Sequence, residues 1–161
     1  GPIAGIWLDG IMLPLTPKNE TGEEIEGFDP RTDGDAFECQ KLYDHIHQVQ
    51  PQTLVSYKQG YLGTEDFFAP EHSVYNRFGE EGAAKPGEVC TTSGGGWGYT
   101  AGHPYCTAEE LWNTLTTTRK QGYNLLMNIG PLPDGSLPEE AKTPLLEVGK
   151  KLKKQGMPNP S

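Results

Sequence analysis

An α/β fold with a parallel sheet is predicted by three features of this 161-residue chain. Four short strand candidates lie at 3–8, 53–58, 88–92 and 124–130; the first is an unbroken apolar run with the pattern of a strand buried on both faces, and the last is nearly all apolar. Between and after them lie stretches whose apolar residues recur at helical spacing. The resulting order is strand, helix, strand, loop, strand, helix, strand, helix, and such alternation favours a parallel sheet.

Each element has a local reason. Ile3 to Leu8 opens after Pro2 and ends at Asp9-Gly10, where glycine permits a sharp turn. A lone acid at the C-terminal end of a buried parallel strand is where barrel enzymes keep catalytic groups, although Asp9 can equally cap the following turn. The stretch from about Pro14 to Asp35 is acidic and polar and reads as a solvated rim loop. It lacks the alternating Asp/Asn spacing of a calcium loop. Over 36–50 a helix is expected, with Cys39, Leu42, Tyr43, Ile46 and Val49 on one face, Asp35 as cap and Pro51 as stop. His45 and His47 near its end suit the helix dipole. The second strand, Thr53 to Lys58, leads into a loop, Gln59 to His72, dense in aromatics, acids and glycine. Residues 76–87 read as irregular.

After the third strand comes Ser93-Gly94-Gly95-Gly96-Trp97-Gly98-Tyr99. The triple glycine lacks the Gly-Lys-Ser/Thr of a phosphate loop and reads as a flexible turn presenting Trp97 and Tyr99. Thr107-Ala108-Glu109-Glu110 is a capping box opening a helix to about Lys120, which Gly122 ends. The fourth strand is followed by a tight turn at 131–135 and by a last helix expected to be capped by Ser136 with Glu139. Pro144 is expected to kink its first turn or to mark a later start at Thr143. Lys150, Lys151, Lys153 and Lys154 form a solvated face near its end.

Composition narrows the function classes. Net charge is −9, with no basic stripe, which argues against nucleic acid or an anionic membrane as partner. No apolar run is long enough to span a bilayer. Cys39, Cys90 and Cys106 are odd in number and lack metal-ligand spacing, so they read as small buried hydrophobes, and neither a metal nor another cofactor is indicated. Asn19-Glu20-Thr21 is a glycosylation triplet of a kind that often occurs by chance.

Three blocks together resemble the α-L-fucosidases of glycoside hydrolase family 29. Gly5-Ile6-Trp7-Leu8-Asp9-Gly10 is similar to the family's nucleophile strand. Gly94-Gly95-Gly96-Trp97-Gly98-Tyr99 is similar to its Trp-Gly-Tyr segment. The most specific is Gly122-Tyr123-Asn124-Leu125-Leu126-Met127-Asn128-Ile129-Gly130-Pro131, with Asp134-Gly135 and Pro138-Glu139 beyond it. The blocks occur in the family's order and cover almost the whole chain. The resemblance implies the second half of a (β/α)8-like, TIM-type barrel, a retaining exo-glycosidase reaction on a fucosylated glycan, and a secreted, periplasmic or lysosome-like setting. It implies Asp9 as nucleophile and Glu71, from the Glu65 to Glu71 segment, as acid/base, with Glu65 and Glu88 as competitors. Trp7, Lys58, Glu65, His72, Trp97 and Tyr99 become candidate sugar contacts, Lys58 standing where many members have Arg.

The family's barrel has about twice as many strands, and the His-containing part of its fucose pocket has no counterpart here. Residues 1–161 therefore correspond to a C-terminal half-domain whose N-terminal half comes from a companion chain or segment. The nearly charge-free runs 3–8 and 124–129 agree with this, because natural sheets protect exposed edges. Two alternatives accompany the hydrolase. One is a non-catalytic half-domain that binds sugar or only assembles with a partner. The other is an exo-glycosidase for another L-sugar such as α-L-galactose.

Overall fold

The computed structural model describes residues 1–9, 21, 38–57, 63–72 and 85–159. Its elements, in chain order, are β1 (Gly5–Leu8), α1 (Cys39–Val49), β2 (Leu54–Tyr57), β3 (Phe67–Phe68), β4 (Gly87–Thr92), α2 (Ala108–Lys120), β5 (Tyr123–Asn128) and α3 (Glu139–Gln155). The paired strands are parallel and follow chain order, and the fold class is the expected one, α/β as in half of a (β/α)8-type barrel. Two compact units divide the chain, Gly1–Pro70 with Asn76–Pro86 and Glu71–Tyr75 with Gly87–Ser161.

In the first unit β1 pairs with β2 in the register Gly5↔Leu54 to Leu8↔Tyr57, and β2 pairs with β3 through Ser56↔Phe67 and Tyr57↔Phe68. The start of β1 is tied down by three long-range bonds. Ile3 N donates to Gln50 Oε1 at 2.7 Å, Thr53 Oγ1 to Ile3 O at 3.1 Å and Leu54 N to Ala4 O at 3.1 Å. Alternation along the strands puts Ile6, Leu8 and Val55 on one face. There Val55 packs with Cys39 and Tyr43 of α1, all buried, and Leu8 and Ile46 close over them. Burying a side chain such as Val55 contributes roughly 1.5–3 kcal/mol, so this cluster fixes α1 against β2. An apolar cavity of about 160 Å³, lined by Ile3, Ile6, Ile46 and Val49 among others, remains beside it.

The helix α1 starts at Cys39, after Glu38 in a left-handed conformation (φ 52°) that makes no side-chain cap. The expected cap, Asp35, and the acidic loop lie outside the described residues. His47 is bound by a specific partner: its Nε2 lies 3.0 Å from Asp66 Oδ2, the same oxygen that accepts Val55 N at 2.7 Å. The two-residue strand β3 was not expected from the sequence. Backbone pairing creates it, with Asp66 N donating to Val55 O and Phe68 N to Pro86 O.

In the second unit β4 pairs with β5 residue for residue from Gly87↔Tyr123 to Thr92↔Asn128. Tyr123 lies over Gly87, where an added Cβ would come within 1.8 Å of its ring. Burial there pushes the Tyr123 phenol up from its ordinary value. The capping box of α2 forms as expected. Thr107 Oγ1 accepts from Glu110 N at 3.2 Å, and Glu110 Oε2 accepts from Thr107 N at 2.8 Å.

The last helix differs from expectation at its start. Ser136 does not cap it; its N and Oγ both donate to Asp134 Oδ1, closing the preceding turn. Pro138 occupies the cap position, and α3 begins at Glu139 and continues through Pro144. Pro144 sits in the second turn, where its missing N–H costs only the bond to the carbonyl of exposed Glu140, so the helix starts before it. Lys151 covers the Trp112 ring with its ammonium 4.0 Å from the centroid. No disulfide joins the three cysteines, of which Cys39 and Cys90 are buried and Cys106 half-buried.

Candidate active site

A polar cluster gathers at the C-terminal ends of β4 and β5, within the second unit. Glu71 forms an isolated parallel bridge with Cys90, and His72 N donates to Cys90 O at 2.8 Å. This pairing fixes the backbone of Glu71, whose side chain is 25% exposed and so reaches both protein and solvent. His72 takes a left-handed conformation, φ 65°. Successive side chains of an extended strand point to opposite faces. The turn at His72 instead brings its Nε2 to 3.6 Å from Glu71 Oε1. The other ring nitrogen, Nδ1, lies 3.1 Å from Thr91 Oγ1, and the ring faces Trp97 at a centroid distance of 5.5 Å, tilted by 31°.

The segment carrying Trp97 and Tyr99 is anchored rather than loose, for reasons that also explain its glycines. Asn128, the last residue of β5, donates from Nδ2 to Trp97 O at 2.8 Å. A Cβ at Gly95 would meet the His103 ring at 1.9 Å, and one at Gly130 would lie 2.2 Å from Tyr99 N and 2.3 Å from Gly98 C. At Gly130, where the clash is with backbone, only glycine allows this approach; at Gly95 the His103 ring would have to move. Both aromatic rings remain about two-fifths exposed, Trp97 at 42% and Tyr99 at 41%.

Two of the other candidate acids, Asp9 and Glu65, belong to the first unit. Asp9 directly follows the last residue of β1 and is exposed, while Trp7 is half-buried and stands opposite the fully buried Ser56. Glu65 is held inside the protein. Its Oε1 pairs with Lys85 Nζ at 2.9 Å, its Oε2 accepts Gly63 N at 2.6 Å, and its side chain is only 4% exposed. The same ammonium donates to the carbonyls of Gly63 and Glu65, each at 2.8 Å. Lys58 lies outside the described residues. Glu88 sits near the start of β4, where its Oε2 accepts Asn124 Nδ2 at 2.7 Å. Thr91 stands three residues further along, about 10 Å at strand spacing. Among the described residues no group of three or more His, Cys, Asp or Glu is arranged to hold a metal, and no helix is long and apolar enough to cross a membrane.

Comparison with known proteins gives this arrangement a family. The α-L-fucosidase family model matches residues 3–157. The chain belongs to the α-L-fucosidase family. α-L-Fucosidase isoenzyme 1 from Paenibacillus thiaminolyticus shares 25% identity over 100% of this chain and 38% of its own, with a TM-score of 0.70. The Thermotoga maritima α-fucosidase in complex with fucose shares 27% identity over 72% of this chain and 25% of its own, at a TM-score of 0.57. A match of fold extends to α-L-fucosidase AlfC from Lactobacillus casei, at 24% identity and a TM-score of 0.64, over 96% of this chain and 41% of its own. This chain thus spans between a quarter and about two-fifths of the solved fucosidases it matches. No curated protein sequence matches it.

Within this fucosidase-family chain, the structure joins Glu71, His72 and Trp97 and adds two residues that sequence reasoning did not assign, Thr91 and Asn128. Asn128 carries the signal that singled out Asp9: a polar side chain closing an otherwise apolar strand. Thr91 carries no such signal, since threonine is an ordinary strand residue.

Proposed function

We propose that this chain is the C-terminal half of the catalytic domain of a retaining α-L-fucosidase, which removes terminal α-L-fucose from glycoconjugates. The family match over residues 3–157 carries the reading. Asp9 is the nucleophile and Glu71 the acid/base. In the first step the Asp9 carboxylate attacks the anomeric carbon. The bond to the glycosidic oxygen breaks, and the Glu71 proton passes to that oxygen, so the aglycone leaves as an alcohol. In the second step Glu71, now a carboxylate, takes a proton from water as the water oxygen attacks the same carbon. The sugar is freed and Asp9 regains its charge. In this class of reaction the two carboxyl groups act ~5 Å apart.

Glu71 suits the acid role better than its competitors. Both oxygens of Glu65 are engaged inside the protein, and Glu88 is paired with Asn124 at the other end of its strand. Trp7, Lys58, Trp97 and Tyr99 are assigned to sugar contacts on the family resemblance, and the exposed rings of Trp97 and Tyr99 can stack on the apolar face of a pyranose. A companion segment or chain supplies the rest of the barrel and of the fucose pocket. The test is Asp9→Gly, assayed with its companion segment on an aryl α-L-fucoside. Turnover should be lost with fucose binding nearly intact, and azide should restore product. Wild-type turnover in the variant would remove Asp9 from the mechanism.

A second reading is favoured by one observation, the limited share of the solved fucosidases that this chain spans. It is a non-catalytic half-domain that binds sugar or only assembles. Native mass spectrometry separates the two, because the catalytic reading requires a species that contains the remaining strands.

A further inference from the structure

The proposed acid, Glu71, has a neighbour whose placement that role does not explain. Left-handed backbone is unfavourable for residues with a side chain and persists where surrounding contacts hold it. His72 donates its N–H to Cys90 O in this conformation, and its ring, 59% exposed, contacts Thr91 through Nδ1 and faces Trp97. The result is a ring turned back on the residue before it, with Nε2 at 3.6 Å from Glu71 Oε1. That distance is longer than a hydrogen bond and within electrostatic reach.

We propose that His72 is a positioning residue for Glu71 rather than a sugar contact, and that Thr91 and Trp97 fix the ring so that it limits where the carboxyl can swing. This inference rests on the assignment of Glu71 as the acid/base. Three details support it. The imidazole has one nitrogen committed to Thr91 and the other directed at Glu71, which is an orienting arrangement. The carbonyl of Trp97 accepts from Asn128 Nδ2, which anchors the backbone that carries the indole. The bridge between Glu71 and Cys90 fixes the backbone from which the carboxyl projects.

Positioning of an acid matters most when the leaving group needs a proton, so the test compares leaving groups. His72→Ala and Thr91→Val are assayed on an aryl fucoside with a good leaving group and on a fucosylated disaccharide, with the companion segment present. L-Fucose binding is measured alongside. Both variants should lose about tenfold or more in kcat/KM on the disaccharide, change less than about threefold on the aryl fucoside and keep the Kd for fucose. His72→Asn, which tolerates left-handed backbone, should behave like His72→Ala because it lacks the ring. Equal loss on both substrates, weakened fucose binding, or wild-type behaviour of His72→Asn would each overturn the inference. If the wild-type protein hydrolyses neither substrate, the assignment of Glu71 falls and this inference with it.

Discussion

Removal of the Lys85 ammonium is the sharpest test of what Glu65 does. The Glu65 side chain is 4% exposed and Lys85 23%, so the carboxylate relies on protein donors while the ammonium keeps some water. Lys85→Ala deletes the ion pair at 2.9 Å and two bonds to carbonyls, at Gly63 and Glu65. Among the described residues one donor then remains for the carboxylate, the N–H of Gly63. Breaking a buried pair from one side costs about 3–5 kcal/mol, and partial wetting of Lys85 argues for the lower end, about 3 kcal/mol. For a chain of this size that corresponds to a fall in melting temperature of about 6–12 °C. Glu65→Gln keeps the shape and the Gly63 contact and should cost less, about 2 kcal/mol. The assay is urea denaturation of the single and double variants, with kcat measured at a temperature where all are folded. The account expects a positive coupling energy and near-normal kcat. A loss of turnover in Glu65→Gln at unchanged stability would refute it and return Glu65 to the chemistry.

Two further expectations are independent of that pair. Glu71→Ala should slow hydrolysis of natural, poor-leaving-group fucosides by about 100-fold or more while barely affecting activated aryl fucosides, because a good leaving group needs no proton. An equal loss on both substrates would place the acid elsewhere. Thr107→Ala should lower stability by about 1 kcal/mol in thermal melts at neutral pH by removing the α2 cap. The Thr107 backbone and side-chain hydrogen bonds hold the Glu110 carboxyl below its ordinary value. That contribution is therefore present at neutral pH and fades as pH falls through the carboxylate range, so the gap between variant and wild type should narrow in acid.

Much of this architecture can be read locally. The strands β1 and β5 announce themselves as largely apolar runs and β2 and β4 as short stretches of β-branched and aromatic residues, and the α2 capping box is complete within Thr107 to Glu110. The strand β3 could not be read, because two phenylalanines carry no periodicity and become a strand through pairing with β2 and the bond from Phe68 N to Pro86 O. The start of α3 was misplaced because Ser136 had a nearer partner in Asp134, and a short bond within a turn outcompetes a cap across it. Glu65 and Glu71 look alike in the sequence. Their difference comes from Lys85, twenty residues away, and from Cys90, nineteen residues away, neither of which any local pattern reveals. The orientation of His72 depends on the sign of one backbone angle, which histidine alone does not dictate. Gly95 reads as a turn residue and Gly130 as the end of the fourth strand, whereas the structure makes them sites of close approach to His103 and to the Gly98–Tyr99 backbone.

The central claim, that Asp9 forms a covalent bond to fucose during turnover, is tested most directly by trapping. A 2-deoxy-2-fluoro-fucosyl fluoride carries a good leaving group for the first step and a substituent that slows release, so a retaining enzyme accumulates its glycosyl intermediate. The protein, with its companion segment, is treated with this reagent, digested and sequenced by tandem mass spectrometry. The account predicts one added 2-fluoro-fucosyl group, on the peptide spanning Trp7 to Gly10 and located at Asp9. A label on any other carboxylate, or turnover of an aryl fucoside with no label at all, would contradict it.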